Sequence, residues 1–531
     1  MKIIKTEVLV VGGGGAGLRA AIAAKEEGAE VLLVSKTPAG KSTCTQLSGG
    51  GFSLAAGGFS EQDHLESTLL VGRGLNHIEF VRTLVAEAPD RIRELEGFGL
   101  PGEWGRGRFN TYGKAPSWGA SIVAVLKETA QNRGVSLLPW IMILDVVKDG
   151  QKVVGALGFN FRTGEKIGIA ANAVVLANGG GGALYPRNDN PVRITGDGYA
   201  LAYKAGCTLR DMEFVQFFPM GLAEPGKPPF LLAPLFADAA RIIDSQGDDV
   251  LKRYRIVDKP VALRCRDTFS RAIANEEGEG REVYIDFRSL TKETWPKDNL
   301  SQSQREMLMR NFSCQEKPLR ISPTCHFFIG GVATDINGDT GVPGLFAAGE
   351  VAGGLHGANR MGGNALSEVF VFGNRAGKAA GKWSNRNPVH ESPERTFARD
   401  FEDGHENLRN IGQGMAPREF RRRIGEILWN YAGIIRDEQG LRAAVDWISR
   451  TKREDLPGVR TANPKETLEK MEGENALLVA EMISRSALQR RESRGAHYRR
   501  DFPETDDRRW KGSIFIKKYG EVMALEFKPL S

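Results

Sequence analysis

Cysteine is scarce in this chain, and what there is stands apart. Five of 531 residues are cysteine (Cys44, Cys207, Cys265, Cys314 and Cys325), with no CxxC or CxxxC pair among them. That spacing gives no usual motif for an iron–sulfur cluster or a structural zinc. It offers no disulfide framework either, so a reducing cytoplasm is expected. No apolar run approaches the ~20 residues that a transmembrane helix needs. A strand pattern begins almost at the first residue and leaves no room for a signal sequence. Any membrane association is therefore expected to come through a partner. A large excess of one charge is missing too: the formal balance of +6 is small for this length and does not point to nucleic acid or a lipid surface.

Glycine, by contrast, is abundant. The 64 glycines gather near residues 12–17, 49–58, 179–182 and 349–363, a distribution of backbone approach sites rather than of a linker. The chain is too long for one hydrophobic core, so two or three domains are expected. Residues Lys5–Val11 form an apolar strand run that ends in Gly12-Gly13-Gly14-Gly15-Ala16-Gly17. A helical pattern through Leu18, Ala21, Ile22 and Ala24 follows, then Gly28 and a second strand at Glu30–Val34. This is a β–α–β unit carrying G-x-G-x-x-G. Gly12 permits the tight turn, Gly14 lets the backbone approach a pyrophosphate, and Gly17 allows helix and strand to pack closely. One departure stands out: the second strand ends in Ser35-Lys36 instead of the acidic residue that usually grips a ribose. Runs at Ile141–Val147, Val153–Phe161 and Ile167–Ala177, separated by turn signals, predict an antiparallel meander that returns to the parallel sheet. The stretch Leu222–Pro323 mixes proline-rich loops with one charged helical segment near Leu300–Phe312, and so reads as an insertion. Beyond Val389 the pattern becomes charged and helix-periodic, and the tail Ser513–Phe527 reads as short strands.

Further motifs follow in a telling order. They are Ser35-Lys36, Lys41-Ser42-Thr43, Gly49-Gly50-Gly51, Asn178-Gly179-Gly180-Gly181-Gly182, Thr195-Gly196-Asp197-Gly198 and the run Asp211–Phe217. Pro323-Thr324-Cys325-His326, Gly349-Glu350, His356-Gly357-Ala358-Asn359-Arg360, Asn364, and Glu492-Ser493-Arg494-Gly495-Ala496-His497 complete the series. In this order, from residue 12 to about 510, the chain resembles the flavoprotein subunit of the succinate dehydrogenase/fumarate reductase family, and it is also similar to L-aspartate oxidase. The resemblance implies an α/β protein: a Rossmann-like FAD-binding domain (1–221 and 325–388), an inserted α+β capping domain (222–324), and a C-terminal helical domain with a short strand tail (389–531). It implies FAD, with flavin contacts at Gly12, Gly14, Gly15, Ala16, Gly17, Ser35, Lys36, Lys41, Ser42, Thr43, Gly49, Gly50, Gly51, Asp197, Glu350, Asn364, Ala365 and Leu366. Many members bind the flavin covalently through a histidine whose position here is Thr43, so dissociable FAD is expected. The helical domain accompanies a separate iron–sulfur subunit in family complexes, and such a redox partner is expected here.

The family passes a hydride between flavin and a carbon–carbon bond next to a carboxylate. Arg266 matches its catalytic arginine, and His326 and Arg360 match the residues that grip one substrate carboxylate. A guanidinium is a poor acid in water, so this role demands close positioning and a relay that resupplies the proton. Here the chain departs from the pattern. The histidine that holds the second carboxylate is Phe218, and the threonine contact after it is Met220. An ungapped alignment places Leu232-Ala233 at the capping Thr-Glu pair and Phe236 at the relay arginine. These positions, Phe218, Met220, Leu232 and Ala233, are read as an apolar half-pocket. The expected substrate therefore has one carboxylate and an apolar far end, and is neither succinate nor fumarate. The alternative is an electron-transfer flavoprotein whose substrate site is vestigial.

Overall fold

The computed structural model describes residues 1–112, 118–227, 230–388, 396–401 and 414–530. At its centre is a five-stranded parallel sheet in the order Leu345–Ala347, Ala173–Leu176, Val8–Val11, Val31–Ser35, Ser136–Pro139. The three inner strands Ala173–Leu176, Val8–Val11 and Val31–Ser35 are buried along their whole length. This explains why they read as continuous apolar runs instead of alternating ones: helices cover both faces of a parallel sheet.

One covering layer pairs the helix Gly15–Glu26 with the long helix Asn364–Arg386. Glycines at 373, 377 and 381 recur every fourth residue, which puts them on one stripe of the long helix. A Cβ at Gly377 would lie 2.2 Å from the Ala20 carbonyl oxygen, and one at Gly373 would lie 3.0 Å from that of Ala16. The stripe thus lets the two backbones touch, and it brings the start of the long helix beside the start of the first one.

The expected meander is present: Ile141–Asp149, Lys152–Asn160 and Lys166–Ala170 pair antiparallel, and the chain then enters the parallel sheet at Ala173. Two long strands, Val215–Leu222 and Leu319–Phe328, run out to the inserted segment and form a four-stranded sheet with Val283–Asp286 and Arg241–Asp244. The insertion has its own core. Phe287 and Trp295 stack with centroids 5.0 Å apart, and Phe236 meets both edge-on. Its helices Arg266–Gly278 and Asn299–Phe312 line the side facing the parallel sheet.

Three helices, Pro417–Tyr431, Glu438–Glu454 and Pro464–Gln489, make the C-terminal bundle. The tail hairpin Gly512–Tyr519 and Val522–Pro529 packs beside them. It extends a sheet through Leu209–Arg210, with Leu209 opposite Ile516. Arg490 fastens this arrangement from inside, fully buried, donating to Glu213 Oε1 at 2.6 Å, Glu492 Oε1 at 2.9 Å and the Gly512 carbonyl at 2.9 Å. The Glu-Ser-Arg-Gly-Ala-His motif therefore braces the strand that leads into the site.

Candidate active site

A cavity of about 1510 Å³ runs from the first glycine turn to the inserted segment. Its floor is backbone. Gly12 has φ +126°, and a Cβ there would sit 2.1 Å from the Ala177 oxygen; a Cβ on Gly17 would sit 1.9 Å from the Gly12 oxygen. Only glycine fits either position. Gly17 thus packs the turn from behind, while Gly12, Gly14, Gly15 and Ala16 face the cavity. The helix Gly15–Glu26 starts at Gly14, which supplies no side-chain cap; the Gly15 amide donates to Thr45 Oγ1 at 3.1 Å, and the amides that follow it at this amino end are left for an anion.

A second helix start meets the same cavity. Asn364–Arg386 begins after Gly363, again without a side-chain cap, and Ala365 and Leu366 line the wall. Two helix amino ends and a glycine floor suit a ligand that carries a diphosphate at one end and a polar-edged planar ring at the other. Asn178 adds a buried Oδ1 with no partner among the described residues. Glu350 accepts from the Phe328 amide at 2.9 Å, and burial pushes its pKa up to about 8, so its carboxyl can act as a donor near neutrality. These features fit FAD.

Other predicted contacts divide. Ser35, Lys36, Ser42, Thr43, Gly49, Gly50, Gly51 and Asp197 line the cavity. Thr43 caps the short helix Cys44–Leu47 by accepting from the Gln46 amide. Lys36 spends its charge on protein: its Nζ lies 2.5 Å from Asp197 Oδ2 and 2.9 Å from Glu472 Oε1, which pins the helical bundle to the end of the second strand. Three positions are corrections, the first being Gly17, which packs the turn from behind and stays out of the wall. Lys41 is exposed and outside the wall, because Gly40 at φ +79° turns the chain outward there. Asn364 is fully buried behind it, donating to Thr68 Oγ1 at 2.9 Å and paired with His64 Nε2 at 2.8 Å.

At the other end Arg266, His326 and Arg360 come together around two phenylalanines. The Arg266 guanidinium stands 5.2 Å from the Phe218 ring centroid and that of Arg360 4.5 Å from Phe327. His326 packs against the same Phe218 ring at 5.8 Å. Arg266 donates to the Ala262 carbonyl and to Gln216 Oε1, at 3.0 and 3.3 Å. Gln216 in turn donates to Asn359 Oδ1 and the Arg360 carbonyl, joining the two arginine segments. Arg360 Nε is buried with no partner among the described residues, a donor left open for an anion. Burial, and then Arg360, pull the Arg266 guanidinium down to about 9, and burial pulls Arg360 down to about 10. Two like charges held in a dry pocket favour a bound carboxylate.

The segment Phe230–Leu235 contributes only apolar side chains to this wall (Phe230, Leu231, Leu232, Pro234 and Leu235), beside Phe218. Lys227 is exposed at the rim. Met220 and Ala233 are not in the wall, which corrects the reading of the half-pocket. A register shift between Phe218 and Gly221 breaks the strand's alternation and turns Met220 into the core of the insertion. The Ala233 amide is tied to Gln304 Oε1, and its side chain lies in that core as well. Phe236, in the same core, also stays out of the cavity. The residue that sequence reasoning missed is Asp189, whose Oδ2 lies 2.7 Å from His326 Nδ1.

Comparison with known proteins agrees with this geometry. Residues 7–366 match the family model described as FAD binding domain, and residues 421–531 match the one described as fumarate reductase flavoprotein C-term. A subunit of the CoM/CoB fumarate reductase of Methanothermobacter marburgensis is 35% identical, over 97% of this chain and 98% of its own length. L-aspartate oxidase of Streptomyces coelicolor is 29% identical over 97% of this chain and 92% of its own. A mutated FrdA chain of Escherichia coli quinol fumarate reductase superposes with a TM-score of 0.88 at 29% identity, covering 100% of this chain and 97% of that one. With its glycine cradle, its convergent arginines and these full-length likenesses, the chain belongs to the FAD-dependent succinate dehydrogenase/fumarate reductase flavoprotein family of oxidoreductases that act on CH–CH bonds.

Proposed function

We propose that this flavoprotein reduces, or forms, a carbon–carbon double bond conjugated to a single carboxylate, in a substrate whose far end is apolar. Bound FAD supplies or accepts the hydride. Arg360, with its open Nε, and His326 hold the carboxylate. Arg266 is buried beside them, and its lowered pKa makes it a stronger acid than a solvated guanidinium, so it can give a proton to the carbon next to the carboxylate. Phe218, Leu231, Leu232 and Leu235 receive the apolar part and keep water from it. The observation that carries this reading is the one-sided cavity: cationic groups at Arg266 and Arg360, and an apolar Phe230–Leu235 wall.

Electrons reach the flavin through a separate iron–sulfur subunit on this reading. Its support is the absence of cluster-forming cysteine spacing in the chain, together with the fact that the Methanothermobacter relative is itself one subunit of a larger enzyme. FAD is held without a covalent bond, since Thr43 offers no ring nitrogen to form one. One observation favours a second reading, electron transfer with a vestigial substrate site: Leu232, Ala233 and Phe236 cannot relay protons to Arg266. Anaerobic reduction of the protein followed by a screen of unsaturated monocarboxylates separates the two. Catalysis predicts reoxidation of the flavin by at least one enoate, abolished in Arg266→Ala while dye-linked flavin turnover persists. Electron transfer alone predicts no reoxidation by any enoate.

A further inference from the structure

We propose that Asp189 and His326 form the proton source that recharges Arg266, in place of a relay carried by the inserted segment. The inference rests on the reduction proposed above. If Arg266 gives its proton to carbon, another group must restore it. Among the described residues, none of the hydrogen bonds that Arg266 makes goes to a carboxylate; its acceptors are the Ala262 carbonyl and the Gln216 amide. The positions aligned with the relay are filled by Leu232, Ala233 and Phe236, and Phe236 is committed to the aromatic cluster with Phe287 and Trp295.

The Asp189–His326 pair is built to hold a proton in a fixed place. Asp189 sits on a loop that is pinned to the strand Leu319–Phe328: its amide donates to the Cys325 carbonyl at 3.3 Å, and Asn188 bridges the same residue. Asn190 Nδ2 donates to Asp189 Oδ1 at 3.0 Å, which leaves Oδ2 for His326 Nδ1 at 2.7 Å. A carboxylate there holds the proton on Nδ1, so Nε2 is the nitrogen that gains and loses one. Nε2 has no hydrogen-bond partner among the described residues, and both side chains line the cavity. His326 and Arg266 both pack on a single ring, Phe218, at 5.8 and 5.2 Å. Asp189 is also the carboxylate whose charge reaches Arg266.

The step balances simply. An Arg266 N–H bond breaks, its proton goes to the substrate carbon and the electron pair stays on nitrogen. Once the product carboxylate has left His326, its Nε2–H gives its proton to that nitrogen, and a proton from solvent at the cavity mouth restores the imidazolium. The two electrons come from reduced flavin as hydride. Burial lowers the His326 pKa against the opposing pull of Asp189, while Arg266 lies at about 9, so imidazolium to neutral guanidine is the downhill direction. The other groups facing the pair are Arg360, Glu350, and the thiols of Cys44 and Cys325, both of whose pKa values burial raises.

Asp189→Asn in the FAD-loaded protein tests this with two readouts. His326 is followed by histidine-selective NMR, and flavin reoxidation is followed against pH with whichever acceptor works, monocarboxylate or fumarate, so that the substrate reading can fail separately. The pair predicts that the His326 midpoint falls by about one pH unit or more. It also predicts that kcat falls by about 100-fold with KM nearly unchanged, and that the alkaline loss of rate moves to lower pH. Asp189→Glu, which keeps the charge, should recover most of the rate. An unchanged midpoint and profile, or a rise in KM with kcat intact, would overturn the proposal and leave His326 as a carboxylate grip. Should Asp189→Asn fail to retain FAD, the wild-type rate must still fall at the His326 midpoint, and a mismatch there overturns it equally. Absence of reoxidation by every acceptor, with flavin bound, refutes both readings.

Discussion

Replacing Phe218 by histidine should turn the site toward dicarboxylates. Phe218 is 2% exposed and packs against both His326 and Arg266, so whatever part of the substrate reaches past the carboxylate grip meets its ring together with Leu231 and Leu232. An aryl or alkyl group that buries about 100 Å² there gains about 2.5 kcal/mol at roughly 25 cal/mol per Å². A second carboxylate in the same place loses its water without a partner, at a cost of about 3 kcal/mol or more. Together these favour a monocarboxylate by about 5–6 kcal/mol, a factor of about 10⁴ in kcat/KM. Histidine removes much of the first contribution and part of the second, so the ratio of kcat/KM for fumarate to that for the best monocarboxylate should rise by about 100-fold. The substitution also removes the contact between Arg266 and the ring, worth about 0.5–2 kcal/mol, but that loss falls on both substrates and leaves the ratio untouched. Anaerobic stopped-flow reoxidation of the reduced variant measures it. A ratio within about threefold of wild type would refute the assignment of Phe218 to the substrate's far end.

Acid precipitation should leave the polypeptide colourless with FAD in the supernatant; flavin that sediments with the protein would contradict the reading of Thr43. Arg490→Met should lower the melting temperature sharply, because Glu213 would lose the cation that Arg490 brings to it inside the fold, a loss of about 3–5 kcal/mol. Adding Glu213→Gln should restore part of it, and no recovery would show that packing rather than charge is at stake. Affinity for a non-reacting monocarboxylate, read from flavin absorbance, should fall as pH rises. Only the protonated guanidinium binds the anion, and Arg266 sits at about 9, so the Kd should be about tenfold weaker near pH 10 than at neutrality. A flat Kd over that range would rule out Arg266 as part of the anion site.

What could be read from sequence was what the backbone imposes. The turn Gly12–Gly17 and the departures at Thr43 and Phe218 were legible because each position follows a motif by direct count, and no other residue fits at Gly12 or Gly17. The meander and the long C-terminal helices were legible from periodicity. Met220 misled because it was placed by its match to the family's threonine contact, and the register shift that turns it into the core leaves no mark in composition. Ala233 misled because the Leu222–Arg241 stretch has no landmark to fix its count. Asp189 lies 137 residues from His326 in the chain, and nothing in its neighbourhood announces the pairing. The stripe of glycines at 373, 377 and 381 was not among the sequence expectations, because its meaning needs the partner helix.

The most direct test is the behaviour of the wild-type protein once its flavin has been reduced under nitrogen and mixed with two acceptors. An α,β-unsaturated monocarboxylate with an aryl or alkyl end should bleach the reduced signal far faster than fumarate at equal concentration. Fumarate reoxidising the flavin as fast as the best monocarboxylate would mean that the apolar wall does not choose the substrate.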